Sequence, residues 1–337
     1  MHKISHTLPL LATSALFAFF TSSMALATDG TWRTSASNAD WSDVTKWIDG
    51  DIADGVGAIA TFDRTLYTGG RTATLDSNRT LGQIQAINTN ASGLRNVIIG
   101  VSNNSVLTLD NGPSDAIINS SGNGALFINP ATSLLSNLKV TNSATTYLTL
   151  GSTFSGSAGL KTITLDSSVN RINLSGSISD GLGQVEVIVD TGSLGAPANF
   201  FADHTFTGGL TINSGAAVTN ASASTLGAGN VNVLGGKLTI GNTDSMIEDA
   251  ILSFVLSAAI DLNYSGEMTI SGLVSGSDSI ASGTYSASDL NTYFGGSTFT
   301  GTGFISVIPE PGQYAIMAGA LLGAVAFLRR RHGRADK

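Results

Sequence analysis

The 337-residue chain contains no cysteine. A thiol nucleophile, a thiolate metal site and disulfide staples are all excluded. Proline is scarce at six residues, aromatics make up 7% and charged residues 12%. His204 is the only histidine outside the two chain ends, and a lone histidine serves more often in packing than as a catalytic base. No Gly-x-Ser-x-Gly elbow, no calcium-binding Gly-Gly-x-Gly-x-Asp repeat and no His/Asp cluster with metal-ligand spacing occurs. Nor does any apolar run reach the ~20 residues of a full membrane span. No catalytic residue, metal site or cofactor is expected. Asp166, Asp190 and Asp203 with Arg171 are the best available set for polysaccharide lyase or hydrolase chemistry, and turn aspartates explain them equally well.

The sequence is rich instead in glycine, 40 residues, and in short alternating segments. Val97-Ile-Ile99, Val106-Leu-Thr-Leu109, Ala116-Ile-Ile118, Ala125-Leu-Phe-Ile128, Asn137-Leu-Lys-Val140 and Tyr147-Leu-Thr-Leu150 follow at about ten-residue spacing. In Lys161-Thr-Ile-Thr-Leu165, Ile163 and Leu165 share one face and the threonines the other. That period of two marks half-buried strands. Gly100, Asn104, Gly112, Gly122, Gly124, Gly151 and Gly181 punctuate them, as tight corners require. Ile163, Leu165, Ile172, Leu174, Val187, Ile212, Val233, Leu238 and Ile240 are the expected core. Ile247, Ile251, Phe254, Val255 and Ala258 follow helical spacing, so a short helix over 246–258 stands beside a strand reading.

All three tryptophans, Trp32, Trp41 and Trp47, lie in one opening stretch among Asp29, Asp40, Asp43, Asp49, Asp51 and Asp54. Two readings are open: exposed rings stacking on sugars, or a cap sealing the end of a β stack. The Gly30-Thr-Trp, Trp41-Ser-Asp, Lys46-Trp47 and Ala60-Thr-Phe62 elements resemble the N-terminal segment of secreted bacterial proteins with autotransporter-type β repeats.

The two ends read as addresses. Lys3, an apolar core from Leu8 to Phe20 and Ala25-Leu26-Ala27 read as a secretory signal peptide cleaved after Ala27. At the other end, Pro309-Glu310-Pro311 precedes an apolar run from Tyr314 to Leu328 and then Arg329-Arg330-Arg331. That run is about 15 residues, roughly 22 Å as a helix, against ~30 Å of hydrocarbon. The arginines fix their end on the cytoplasmic side. With Lys3 and the five basic tail residues set aside, ten basic residues face 23 acidic ones, for a mature charge near −13. Nucleic acid is therefore not an expected partner.

The tail resembles the PEP-CTERM sorting signal of Gram-negative bacteria, which implies an exosortase-type processing enzyme, transient passage through the inner membrane and cleavage near Glu310. The segment Phe206-Thr-Gly-Gly-Leu-Thr-Ile-Asn-Ser-Gly215, Leu226-Gly227, Gly229-Asn-Val231 and Gly235-Gly236 through Ile240 resembles an autotransporter-associated β-strand repeat. That likeness implies rungs of a right-handed parallel β-helix.

The expected molecule is all-β. Residues 1–27 form a signal peptide, 28–66 a Trp/Asp-rich N-terminal cap and 67–243 a β-helix solenoid. Residues 244–306 form the final rungs and C-terminal cap, and 307–337 the sorting tail with its transmembrane helix. It is expected to be an exported structural or adhesive protein of the cell surface or extracellular matrix and not an enzyme, with extracellular polysaccharide as the partner of the alternative, carbohydrate-binding reading.

Overall fold

The computed structural model describes residues 27–33, 38–66, 69–87, 95–220 and 224–308. Over them the chain winds as a parallel β-solenoid. Successive turns lay strands on a 12-stranded first sheet, from Gly30–Thr31 to Asp278–Ser279, and on an 11-stranded second sheet, from Ala39–Asp40 to Phe299–Gly301. In the N-terminal half each turn adds a strand to a five-stranded third sheet, from Arg79–Leu81 to Ile178–Ser179. Among the described residues, antiparallel pairing is confined to the two ends. Isolated bridges join Thr28 to Asp54 and Trp32 to Trp47. At the C-terminal end Asp278–Ser279 folds back on Gly272–Ser275, and Gly283–Ser286 pairs with Phe304–Val307.

The period-two pattern places the core. Register partners Ile84, Ile118, Val140, Leu165, Val189, Ile212 and Val233 form one column along the inside of the first sheet. Leu126, Leu148, Ile172, Ala198, Ala217, Leu238 and Ile260 form another inside the second. All nine expected core residues are fully buried. Each such aliphatic side chain contributes roughly 1.5–3 kcal/mol of burial. Corners repeat as faithfully as strands. Gly215 and Gly236 sit one above the other between the first and second sheets, with φ of +74° and +68°. A Cβ on Gly236 would strike the Gly215 carbonyl, so conformation and space both demand glycine there.

The ends are closed by aromatic clusters. Trp32, Trp41, Trp47 and Phe62 are fully buried, with Trp47 edge-on to Trp32 at 5.1 Å and to Trp41 at 4.9 Å. The Trp41 and Trp47 indole N–H groups donate to the carbonyls of Ala53 and Trp41. These rings are a cap, and the sugar-stacking reading of them falls because no ring face is exposed.

At the other end Phe254 meets Phe294 and Phe299, each at 5.0 Å. Phe294 ends the helix Ala287–Phe294, which opens on a capping box between Ser286 and Asp289. The helical reading of 246–258 is corrected: Ile251–Phe254 is a strand paired to Val231–Val233. The open edge of the first sheet offers a row of backbone partners that an isolated helical turn lacks. Among the described residues no helix is long and apolar enough to cross a membrane. The expected signal and transmembrane helices lie outside them.

Replacing Ile212, stacked between Val189 and Val233, with Asp buries an unpaired charge in the column. The Ile212→Asp chain should lose roughly 3 kcal/mol or more of stability, read as a lowered denaturation midpoint.

Candidate binding face

The outer positions of the second sheet hold the most organised group of side chains on the surface. In the strands Leu148–Leu150, Ile172–Leu174 and Ala198–Phe200 the flanking residues point inward, so Thr149, Asn173 and Asn199 point out. They are register neighbours and form a ladder. The Asn199 amide donates to Asn173 Oδ1 at 3.0 Å, and the Asn173 amide reaches Thr149 Oγ1 at 3.5 Å. Each is only 8% exposed, so the ladder is the floor of the face.

Two residues before Thr149 and Asn173, on the same side, stand Tyr147 and Arg171. The Arg171 guanidinium lies over the Tyr147 ring at 5.1 Å from its centroid, and Phe127 meets Tyr147 edge-on at 5.6 Å. Phe201 is exposed at the opposite margin of the ladder. A buried side chain sets the Tyr147–Arg171 pairing. Asn142 is fully buried, and its Nδ2 donates to the carbonyls of Thr146 at 3.0 Å and Arg171 at 3.1 Å. One amide thus clamps the backbone beside Tyr147 to that of Arg171. Asn142 Oδ1 also accepts from the Ala144 N–H, so both ends of the amide are used. The Leu148 N–H bonds the same Arg171 carbonyl at 3.2 Å.

The four residues considered for catalysis are not brought around one pocket. Asp166 and Asp190 lie near the ends of the adjacent first-sheet strands Lys161–Ser167 and Val185–Asp190 and are bound separately. Asp166 pairs with Lys139 at 3.1 Å, and Asp190 accepts from the Ser214 hydroxyl at 2.8 Å. Asp203 lies past the second-sheet strand Ala198–Phe200, accepting from Thr225 Oγ1 at 3.1 Å. Arg171 belongs to the face described above. Among the described residues no group of His, Asp and Glu is arranged to hold a metal ion. Of the sorting residues, Ala27 is exposed at the start of the described chain. Ala25, Pro309, Glu310, Pro311, Arg329, Arg330 and Arg331 lie outside the described residues.

His204 packs inside the coil at 2% exposure. It follows the last strand of the third sheet by one turn. Its Nδ1 accepts the Ile178 N–H at 3.0 Å, which places the proton of the neutral ring on Nε2. Its ring stands edge-on to Phe200 at 5.3 Å. Burial pushes its pKa down to about 4, against a weaker opposing pull from Asp203.

No family model matches the chain, and no curated protein or solved structure matches it either.

The buried histidine generates a pH dependence with a definite sign. Its folded pKa lies below the unfolded value of 6.5, so the unfolded chain binds the extra proton between those values and stability falls as pH falls. The contribution is intact above pH 6.5 and is lost progressively towards about pH 4. Its limit is roughly 3 kcal/mol. Denaturation midpoints of the native chain and His204→Gln, compared from pH 7 to 4, should show a steeper acid decline in the native chain.

Proposed function

We propose that this chain is an exported structural or adhesive β-solenoid of the cell envelope or extracellular matrix, sorted through its C-terminal tail and without catalytic activity. On this reading residues 1–27 are a cleavable signal helix, 307–337 are a PEP-CTERM tail with a short transmembrane helix, and the coil winds right-handed like the repeat family it resembles. The partners are an exosortase-type enzyme and, transiently, the inner membrane. The mature form resides at the cell surface or outside the cell of a Gram-negative bacterium.

The observation that supports this most is the position of the outermost bonds among the described residues. Thr28, directly after Ala27, is bridged to Asp54. At the far end the Ile308 N–H bonds the Ile270 carbonyl, one residue before Pro309. Cuts after Ala27 and near Glu310 would each fall beyond these bonds and leave every described rung intact. The Pro-Glu-Pro sequence itself favours an extended backbone, and an extended backbone suits a protease cleft.

A second reading, a carbohydrate-binding surface module, is favoured by Phe127, Tyr147 and Arg171 on the second sheet, since partly exposed rings beside hydrogen-bonding groups suit sugars.

Mass spectrometry of the protein from the surface fraction should find an N-terminus at Thr28 and a C-terminus close to Glu310, with Arg329 to Arg331 removed. Glu310→Ala, or deletion of the three arginines, should leave uncut precursor in the inner membrane. A surface protein still ending at Lys337 would refute processing.

A further inference from the structure

We propose that Arg171 and Tyr147, held side by side by the buried Asn142, form a subsite for an acidic sugar, a hexuronate residue within an extracellular polysaccharide. The inference deepens the carbohydrate-binding reading by naming both the site and the chemistry that it takes.

Charge supplies the first argument. Acidic residues outnumber basic ones by more than two to one in the region between the ends, and four ion pairs are formed among the described residues. They join Lys46 to Asp43, Arg79 to Asp54, Lys139 to Asp166 and Lys237 to Asp261. Arg171 is in none of them. Its exposed guanidinium has an aromatic ring for a neighbour instead of a carboxylate. A guanidinium stacked on a ring keeps its in-plane N–H edge free, and that edge matches a carboxylate in two parallel bonds.

Shape and order supply the second. The rings of Tyr147 and Phe127 provide apolar surface beside the charge for the C–H face of a pyranose. The Thr149–Asn173–Asn199 ladder makes a fixed floor next to them. Asn142 holds the two presenting segments to each other before any ligand arrives, so little ordering remains for binding to accomplish. Arg171 and Tyr147 meet across neighbouring turns, so the subsite opens along the solenoid axis, the direction in which a polymer can lie over several rungs.

The acidic remainder of the molecule sharpens the test, because it gives a polyanion no general attraction. Polygalacturonate oligomers, the same oligomers fully methyl-esterified and a neutral glucan would be titrated into the full-length chain in detergent micelles. The acidic oligomer should bind, esterification should weaken it roughly tenfold or more, and Arg171→Ala should weaken it by a similar factor. Tyr147→Ala should cost several-fold, and Arg171→Lys should fall between Arg171→Ala and the native chain. Thermal denaturation of each variant confirms the fold, since both altered side chains lie on the outer face. Equal binding of acid and ester, unchanged binding by Arg171→Ala, or no binding of any oligomer would overturn the proposal. The sorting reading stands or falls separately on the mass of the C-terminus, which this titration does not involve.

Discussion

Parallel pairing between consecutive turns is the constraint on which the rest of this molecule depends. Strands inside the sheets satisfy their backbone N–H and C=O groups by bonding to the turn before and the turn after. Inward side chains must therefore stack on their own kind, and corners must stack on corners. The aliphatic columns, the paired glycines at 215 and 236 and the Thr149–Asn173–Asn199 ladder are three expressions of that rule. A change at one rung is felt by two others. Few charges, few prolines and no disulfides suffice because the repeated register does the work that those devices perform elsewhere.

The same rule creates a difficulty at the ends, where the last turn has a partner on one side only. Both ends solve it with aromatic mass and a local departure from parallel pairing. Trp32, Trp41, Trp47 and Phe62 fill the N-terminal opening. At the C-terminal end the short helix and Phe254, Phe294 and Phe299 do so. These covers remove the bare edges that would otherwise recruit another chain.

The strands were legible because a period of two is a local property. Ile163 and Leu165 announce their face without reference to any other turn. The 246–258 segment left two readings open because Ile247, Ile251, Phe254, Val255 and Ala258 satisfy a helical spacing equally well. Only the neighbouring Val231–Val233 strand decides between the two, and neighbours are not visible in a linear sequence. The helix Ala287–Phe294 did carry a signal, the Ser286-Ala-Ser-Asp289 capping box, but eight residues are too few for a helical period to stand out. The tryptophans were ambiguous for the same reason: a ring that seals and a ring that binds read alike until burial is known. Tyr147 and Arg171 are 24 positions apart and become neighbours through register alone. Their common offset from Thr149 and Asn173 is the trace in the sequence that could have paired them. Asn142 gives no such trace, since nothing marks a polar residue as the clamp inside a corner.

The N-terminal cap has a consequence for how the coil comes into being. Its four rings all lie within the first 62 residues, and most later turns pair with residues about two to three dozen positions behind them. Contacts of such short range cost little loop entropy and form quickly. A chain delivered N-terminus first completes its lid early and then presents, at every stage, a finished edge as the template for the next turn. Short-range pairing of this kind lets such a chain grow one rung at a time from its lid, with the aromatic plug at the far end as the last piece to be placed.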